Sequence, residues 1–110
     1  MNALVTRQYV TGSKTMLARL VLKKGAHVPV HHHMNEQVSH VVAGALEFRL
    51  EGKAVTVGAG EILCIPPDVP HEVIALEDSV ALDIFTPPRQ DWIDGDDAYL
   101  RGGAAPGVTS

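Results

Sequence analysis

Cysteine is nearly absent: Cys64 stands alone among 110 residues. A single thiol excludes an internal disulfide framework and fits a reducing compartment, so a cytoplasmic protein is expected. No apolar run approaches the ~20 residues of a membrane helix. Met1 to Arg7 shows no basic stretch leading into an apolar one, so no signal peptide is expected. A basic stripe is also missing. With 9 Lys+Arg against 13 Asp+Glu and a formal charge of −4, nucleic acid and anionic membranes are disfavoured as partners. Aromatic residues are scarce, at 5 %.

Val, Ala and Leu dominate what is there. Hydrophobic residues make up 45 % and charged residues 20 %, the balance of a folded domain rather than a disordered chain. Ten Gly and seven Pro punctuate the sequence into short β-branched runs, which points to an all-β sandwich or barrel. The runs are Thr15 to Leu22, the histidine segment, Val38 to Val42, Leu46 to Leu50, Ala54 to Val57, Glu61 to Ile65, His71 to Leu76 and Val80 to Phe85. Leu46, Phe48 and Leu50 alternate with Glu47, Arg49 and Glu51, giving one apolar and one wet face. Glu51-Gly52-Lys53 is expected to turn a hairpin. A turn or two of helix is expected within Arg89 to Leu100. One domain over 1–101 and a flexible tail over 102–110 complete the organisation. A core this small favours a homodimer, with N-terminal strands contributing.

Four of the six histidines, His31, His32, His33 and His40, fall within ten residues. On a strand His31 and His33 share a face and His32 takes the other, so the first two can chelate one ion. Gln37 can open the next strand beside them, and His71 opens a later strand after Pro70. A barrel would bring His31, His33, Gln37 and His71 to one point. The residues also allow a plainer account, with the triplet in a solvated loop and His71 a turn residue. His27, His32 and His40 read as surface or structural groups.

Val80, Leu82 and Ile84 share one strand face and are expected to pack between sheets. Ala81, Asp83 and Phe85 share the other. A carboxylate in so apolar a run is costly to bury without a partner. Asp83 is therefore either exposed at a strand end or set on a cavity wall, with a perturbed pKa suited to proton transfer. Arg89, after Pro87-Pro88, is either a solvated charge or a carboxylate clamp.

The spacing of Gly25, His31-x-His33, Gln37 and Gly44, followed by Gly60, Pro66, Asp68 and His71, resembles the two motifs of the cupin superfamily. The resemblance implies a cupin double-stranded β-helix (jelly-roll) barrel. It also implies one divalent transition metal ion per chain (Ni, Mn, Fe, Zn or Cu), held by His31, His33, Gln37 and His71. Two departures stand out: Gln37 occupies a position where most cupins carry Glu, and Ala75 stands where the second motif usually ends in Asn. Three neutral imidazoles and a neutral amide leave a divalent charge uncompensated, which makes a stronger Lewis acid and attracts anions.

Leu82 to Asp91, with Ile65 to His71 and Ala98-Tyr99-Leu100, is similar to the KdgF-type cupins of pectin and alginate breakdown. His40 departs, at a position where Tyr is more usual. That resemblance implies catalytic roles for Asp83, Phe85 and Arg89 and a small anionic substrate, a sugar acid. The implied enzyme linearises a 4,5-unsaturated monouronate to its 5-keto form. The alternatives are a metal-dependent small-molecule dioxygenase and a non-catalytic ligand-binding or sensing cupin.

Overall fold

Period-two alternation of buried and exposed residues runs through nine strands in a computed structural model that describes residues 3–95. They are β1 (Val5–Thr11), β2 (Met16–Leu22), β3 (His27–His31), β4 (Glu36–Ala43), β5 (Ala45–Leu50), β6 (Lys53–Gly58), β7 (Ile62–Ile65), β8 (His71–Ala75) and β9 (Ser79–Thr86). A single helical turn, α1 (Gln90–Ile93), follows. The expected tail and Ala98-Tyr99-Leu100 lie outside the described residues.

Two antiparallel sheets face each other, ordered β1-β2-β9-β4-β7 and β3-β8-β5-β6. Leu46, Phe48 and Leu50 of β5 and Val73 and Ala75 of β8 pack across the sandwich toward Met16, Ala18, Leu20, Ala81 and Phe85, all buried. The turns follow backbone chemistry. Glu51 and Gly52 take φ of 52° and 74°, the doubly left-handed pair that matches the twist of a two-residue hairpin between Leu50 and Lys53. Gly44 bends β4 into β5 at φ 81°, and a Cβ there would collide with the Asp78 carbonyl and Ser79.

Two expectations need correction. Val80, Leu82 and Ile84 do not pack between the sheets. Their face of β9 points outward, with Ile84 41 % exposed, while Ala81, Asp83 and Phe85 point in. Both faces of β9 are largely apolar, so alternation alone leaves the inward parity open; the β2 and β4 ladders on either side set it. Strand β1 is an addition to the expected set. Its inward residues are Val5, Arg7 and Tyr9, and the charged Arg7 breaks the apolar alternation that marks the other strands. Arg7 is nevertheless buried, its guanidinium 4.2 Å from the Trp92 ring centroid.

Candidate active site

The ladder between β3 and β8 pairs His31 directly with His71, so the last residue of one strand and the first of the other meet at one end of the sandwich. His33 lies two residues past the end of β3, and Gln37 is the second residue of β4. The imidazole centroids stand 4.3 Å (His31–His71), 5.1 Å (His33–His71) and 5.7 Å (His31–His33) apart. One ligand atom from each lies within 4.8 Å of the others. Gln37 Oε1 is 3.1 Å from His33 Nε2. The expected quartet therefore converges.

Second partners fix which ring atoms face inward. His31 Nδ1 meets the Pro29 carbonyl at 2.8 Å, His71 Nδ1 the Val69 carbonyl at 2.8 Å, and His33 Nδ1 the Asn35 carbonyl at 3.1 Å. A carbonyl can only accept, so each Nδ1 carries the hydrogen and each Nε2 presents a lone pair. Burial holds His31 and His33 down to about 4 and lowers His71 as well, with the charge of Arg89 and the neighbouring imidazoles adding to the effect. All three rings are thus neutral near pH 7, the form that binds a metal.

The same geometry tests whether an ion fits. Gln37 Nε2 donates to Ser39 Oγ at 2.9 Å and to Asp83 Oδ2 at 3.3 Å, which turns the amide oxygen toward the histidines. Gln37 Oε1 and His33 Nε2 then face each other as two acceptors. His71 Nε2 is buried with no hydrogen-bond partner among the described residues. Converging lone pairs of this kind are a donor set for a cation, and nitrogen with amide oxygen suits a first-row transition metal.

Asp83 and Phe85 project from β9 into a cavity of about 40 Å³ that His31, Gln37, His71, Arg89 and Trp92 also line. Asp83 is buried, and burial pushes its carboxyl up to about 6 against the opposing effects of a Ser39 hydrogen bond and the Arg89 charge. Its Oδ1 has no hydrogen-bond partner among the described residues. Arg89 is 2 % exposed, its guanidinium 5.2 Å from the Phe85 ring centroid and 4.7 Å from that of Trp92. The expected clamp already grips one carboxylate: Nε and Nη2 donate to the two oxygens of Asp91 at 2.9 and 2.7 Å. Burial would raise Asp91, but the bonds and charge of Arg89 hold it below the usual carboxylate range.

His32 is exposed, and His40 shares the outward face of β4 with Val38 and Val42. His27 contacts Glu72 on the outer surface, at 2.6 Å. None of the three joins the cluster. Sequence reasoning passed over Ser39, Asn35 and Trp92. Ser39 shares strand parity with Gln37, a signal that was available. Buried Asn35 donates to the Pro87 and Pro88 carbonyls at 2.5 and 3.2 Å, tying the His33 loop to the Arg89 loop. It carries no local mark of that role.

Comparison with known proteins agrees with this geometry. The chain is 30 % identical over 92 residues to the pectin degradation protein KdgF of Dickeya dadantii, spanning 81 % of this chain and 84 % of that protein. Among solved structures it is similar to KdgF from a Halomonas species (TM-score 0.79, 29 % identity, 84 % of this chain and 86 % of that one). It is also similar to an RmlC-like cupin from Shewanella frigidimarina (TM-score 0.78, 29 % identity, 84 % of each chain). The cupin domain model matches residues 18–85, the stretch from β2 through Phe85 that carries the histidine cluster and Asp83, and with the double-sheet topology this makes the chain a member of the cupin family.

Proposed function

We propose that this protein is a metal-dependent cupin enzyme that opens the ring of a 4,5-unsaturated monouronate to its linear 5-keto form. The observation that carries the reading is the lining of one cavity by two neutral histidines of the cluster, His31 and His71, with Gln37, a buried carboxyl and a buried arginine. The similarity to KdgF proteins supports the substrate class. His31, His33, Gln37 and His71 would hold one divalent ion, which when bound supplies Lewis acidity toward the substrate's oxygens.

The reaction is an isomerisation. The C1 hydroxyl loses a proton, C1=O forms, and the bond from C1 to the ring oxygen breaks, leaving an enolate at C5. C4 then gains a proton to give the ketone. Asp83, pushed up to about 6, is mostly ionised near pH 7 and close enough to neutrality to give the proton back. It would take the C1 hydroxyl proton and return it at C4. Arg89 supplies a fixed positive charge for the substrate carboxylate, and Phe85 an apolar wall. A sugar ring is too large for about 40 Å³. The ring would lie across the mouth of the cavity, with its reacting atoms toward His31, Asp83 and Arg89.

The test is turnover of freshly prepared lyase product, followed by loss of the conjugated double bond's absorbance. Acceleration over buffer by metal-loaded protein is expected. A rate equal to buffer removes the uronate reading and leaves a metal-binding cupin.

A homodimer and a cytoplasmic site of action belong to the same proposal. The outer face of the five-stranded sheet exposes Val10, Leu17, Val42, Ile62 and Ile84, each at least 41 % accessible. Pairing with a second copy would cover that face. Cys64 is a free thiol on the exposed side of β7, in keeping with a reducing compartment.

A further inference from the structure

Ser39 has no part in the reaction just described, yet its side chain is completely inaccessible (0 %) on the inward face of β4. Strand geometry places it between two functional groups. It follows Gln37 by two residues and so shares its face, and it stands directly across the ladder from Asp83. A hydroxyl has one hydrogen and two lone pairs. One of the Ser39 lone pairs receives a Gln37 Nε2 hydrogen at 2.9 Å, and Oδ2 of Asp83 receives Nε2 from the other side at the longer 3.3 Å.

The two ends of a glutamine amide are nearly identical in shape, so hydrogen bonds decide which end faces which way. A flipped Gln37 would set its oxygen against the Ser39 lone pairs and the Asp83 carboxylate and aim its N–H groups at His33 Nε2. We propose that Ser39 is a positioning residue that holds the Gln37 amide with its oxygen toward His31, His33 and His71, and so makes Gln37 a metal ligand rather than a hydrogen-bond donor to His33. The inference rests on the reading of this cluster as a metal centre. A glutamate at the same position would need no such partner, because both of its ends are oxygen.

Without the Ser39 acceptor, the long 3.3 Å contact to Asp83 is the remaining described bond that orients the amide. Partners that orient a ligand typically contribute about 10- to 100-fold in metal affinity. The probe is Cu(II), titrated into the full chain against a competing chelator, with the EPR spectrum recorded at saturation and folding checked by thermal melting. Ser39→Ala is expected to weaken Cu(II) binding by about 10- to 100-fold and to move the spectrum toward that of Gln37→Ala. In the Gln37→Ala background, where no amide remains to orient, Ser39→Ala is expected to cost nothing further. Ser39→Thr and Ser39→Val are nearly the same size and differ in the hydroxyl. Thr is expected to keep affinity and spectrum and Val to lose both, which preserves the test if the alanine variant does not fold. Wild-type affinity and spectrum in Ser39→Ala or Ser39→Val, or an equal loss in both Gln37 backgrounds, overturns the role of Ser39 and leaves the metal centre standing. Failure of the wild-type protein to bind Cu(II) overturns the metal centre and the role of Ser39 with it.

Discussion

Replacing Asp83 by Asn separates chemistry from scaffold. The side chain keeps its shape and loses its ability to carry a proton, so a residue that only fills space would tolerate the change. Burial raises the Asp83 carboxyl from its ordinary 3.8 to about 6, and that difference corresponds to about 3 kcal/mol. Because the folded value lies above the unfolded one, the folded state gains nothing from this group once both states are ionised. This group should therefore cost the wild type about 3 kcal/mol relative to Asp83→Asn as pH rises from about 4 to about 6. Asparagine escapes that penalty. Against it, the asparagine NH2 takes the place of Oδ1, which has no hydrogen-bond partner among the described residues; a buried donor left without a partner costs about 1–3 kcal/mol. The two effects nearly cancel, so Asp83→Asn should melt close to the wild type at pH 7. Chelator-treated protein is the right sample, since a bound cation nearby would stabilise the ionised form. Activity should behave quite differently. Loss of a general acid/base slows turnover by about 10²–10⁴-fold, or about 3–5 kcal/mol of barrier, while metal content stays unchanged. The assay uses fresh lyase product with a buffer blank, because unsaturated uronates also open spontaneously. Full activity in a folded, metal-loaded Asp83→Asn would refute the proton-transfer role. A stability difference between wild type and Asp83→Asn that stays constant between about pH 4 and pH 6 would refute the burial argument beneath it.

His71→Ala is expected to remove metal and activity together, because Nε2 of this residue is one of the three converging lone pairs; elemental analysis showing an undiminished metal content would contradict the ligand assignment. The folded His31 and His33 protonate only near 4 against an ordinary 6.5. Metal binding should therefore hold from pH 7 down to about 5 and fall below that. These rings should cost metal-free protein stability as pH drops from about 6.5 toward 4, where the unfolded chain takes up protons that the folded one refuses, most visibly in Asp83→Asn, which lacks the opposing Asp83 contribution. Metal release centred at 6.5 would contradict the burial of these rings. Arg89→Lys forfeits the two-pronged grip on Asp91 and the stacking on Phe85 and Trp92, so KM should rise about tenfold with a smaller change in kcat; an unchanged KM would remove Arg89 from substrate binding. Light scattering should give twice the 11.8 kDa of one chain, and Leu17→Lys with Ile84→Lys should yield monomer; a monomeric wild type at micromolar concentration would refute pairing through the outer sheet face.

Much of this molecule is legible in one dimension, because strand alternation and turn chemistry act over a few residues. The hairpin at Glu51-Gly52 and the apolar face of Leu46, Phe48 and Leu50 follow from neighbours in the chain. The family resemblance is equally local in origin: His31-x-His33, Gln37 and His71 can be named from spacing. What spacing leaves open is direction. Nothing near Asp83 distinguishes a strand-end carboxylate from one on a cavity wall, and the apolar Val80, Leu82 and Ile84 pull expectation toward the wrong parity. The β2 and β4 ladders resolve it, since two neighbouring strands fix which face of β9 meets the opposite sheet. Strand β1 carries no clean alternation in the sequence, because its inward Arg7 is held by an aromatic ring 85 residues further along the chain. The orientation of the Gln37 amide, the neutral state of the histidines and the raised Asp83 all arise the same way. Each depends on which polar atoms and how little water surround a group in space, and those neighbours come from strands far apart in sequence.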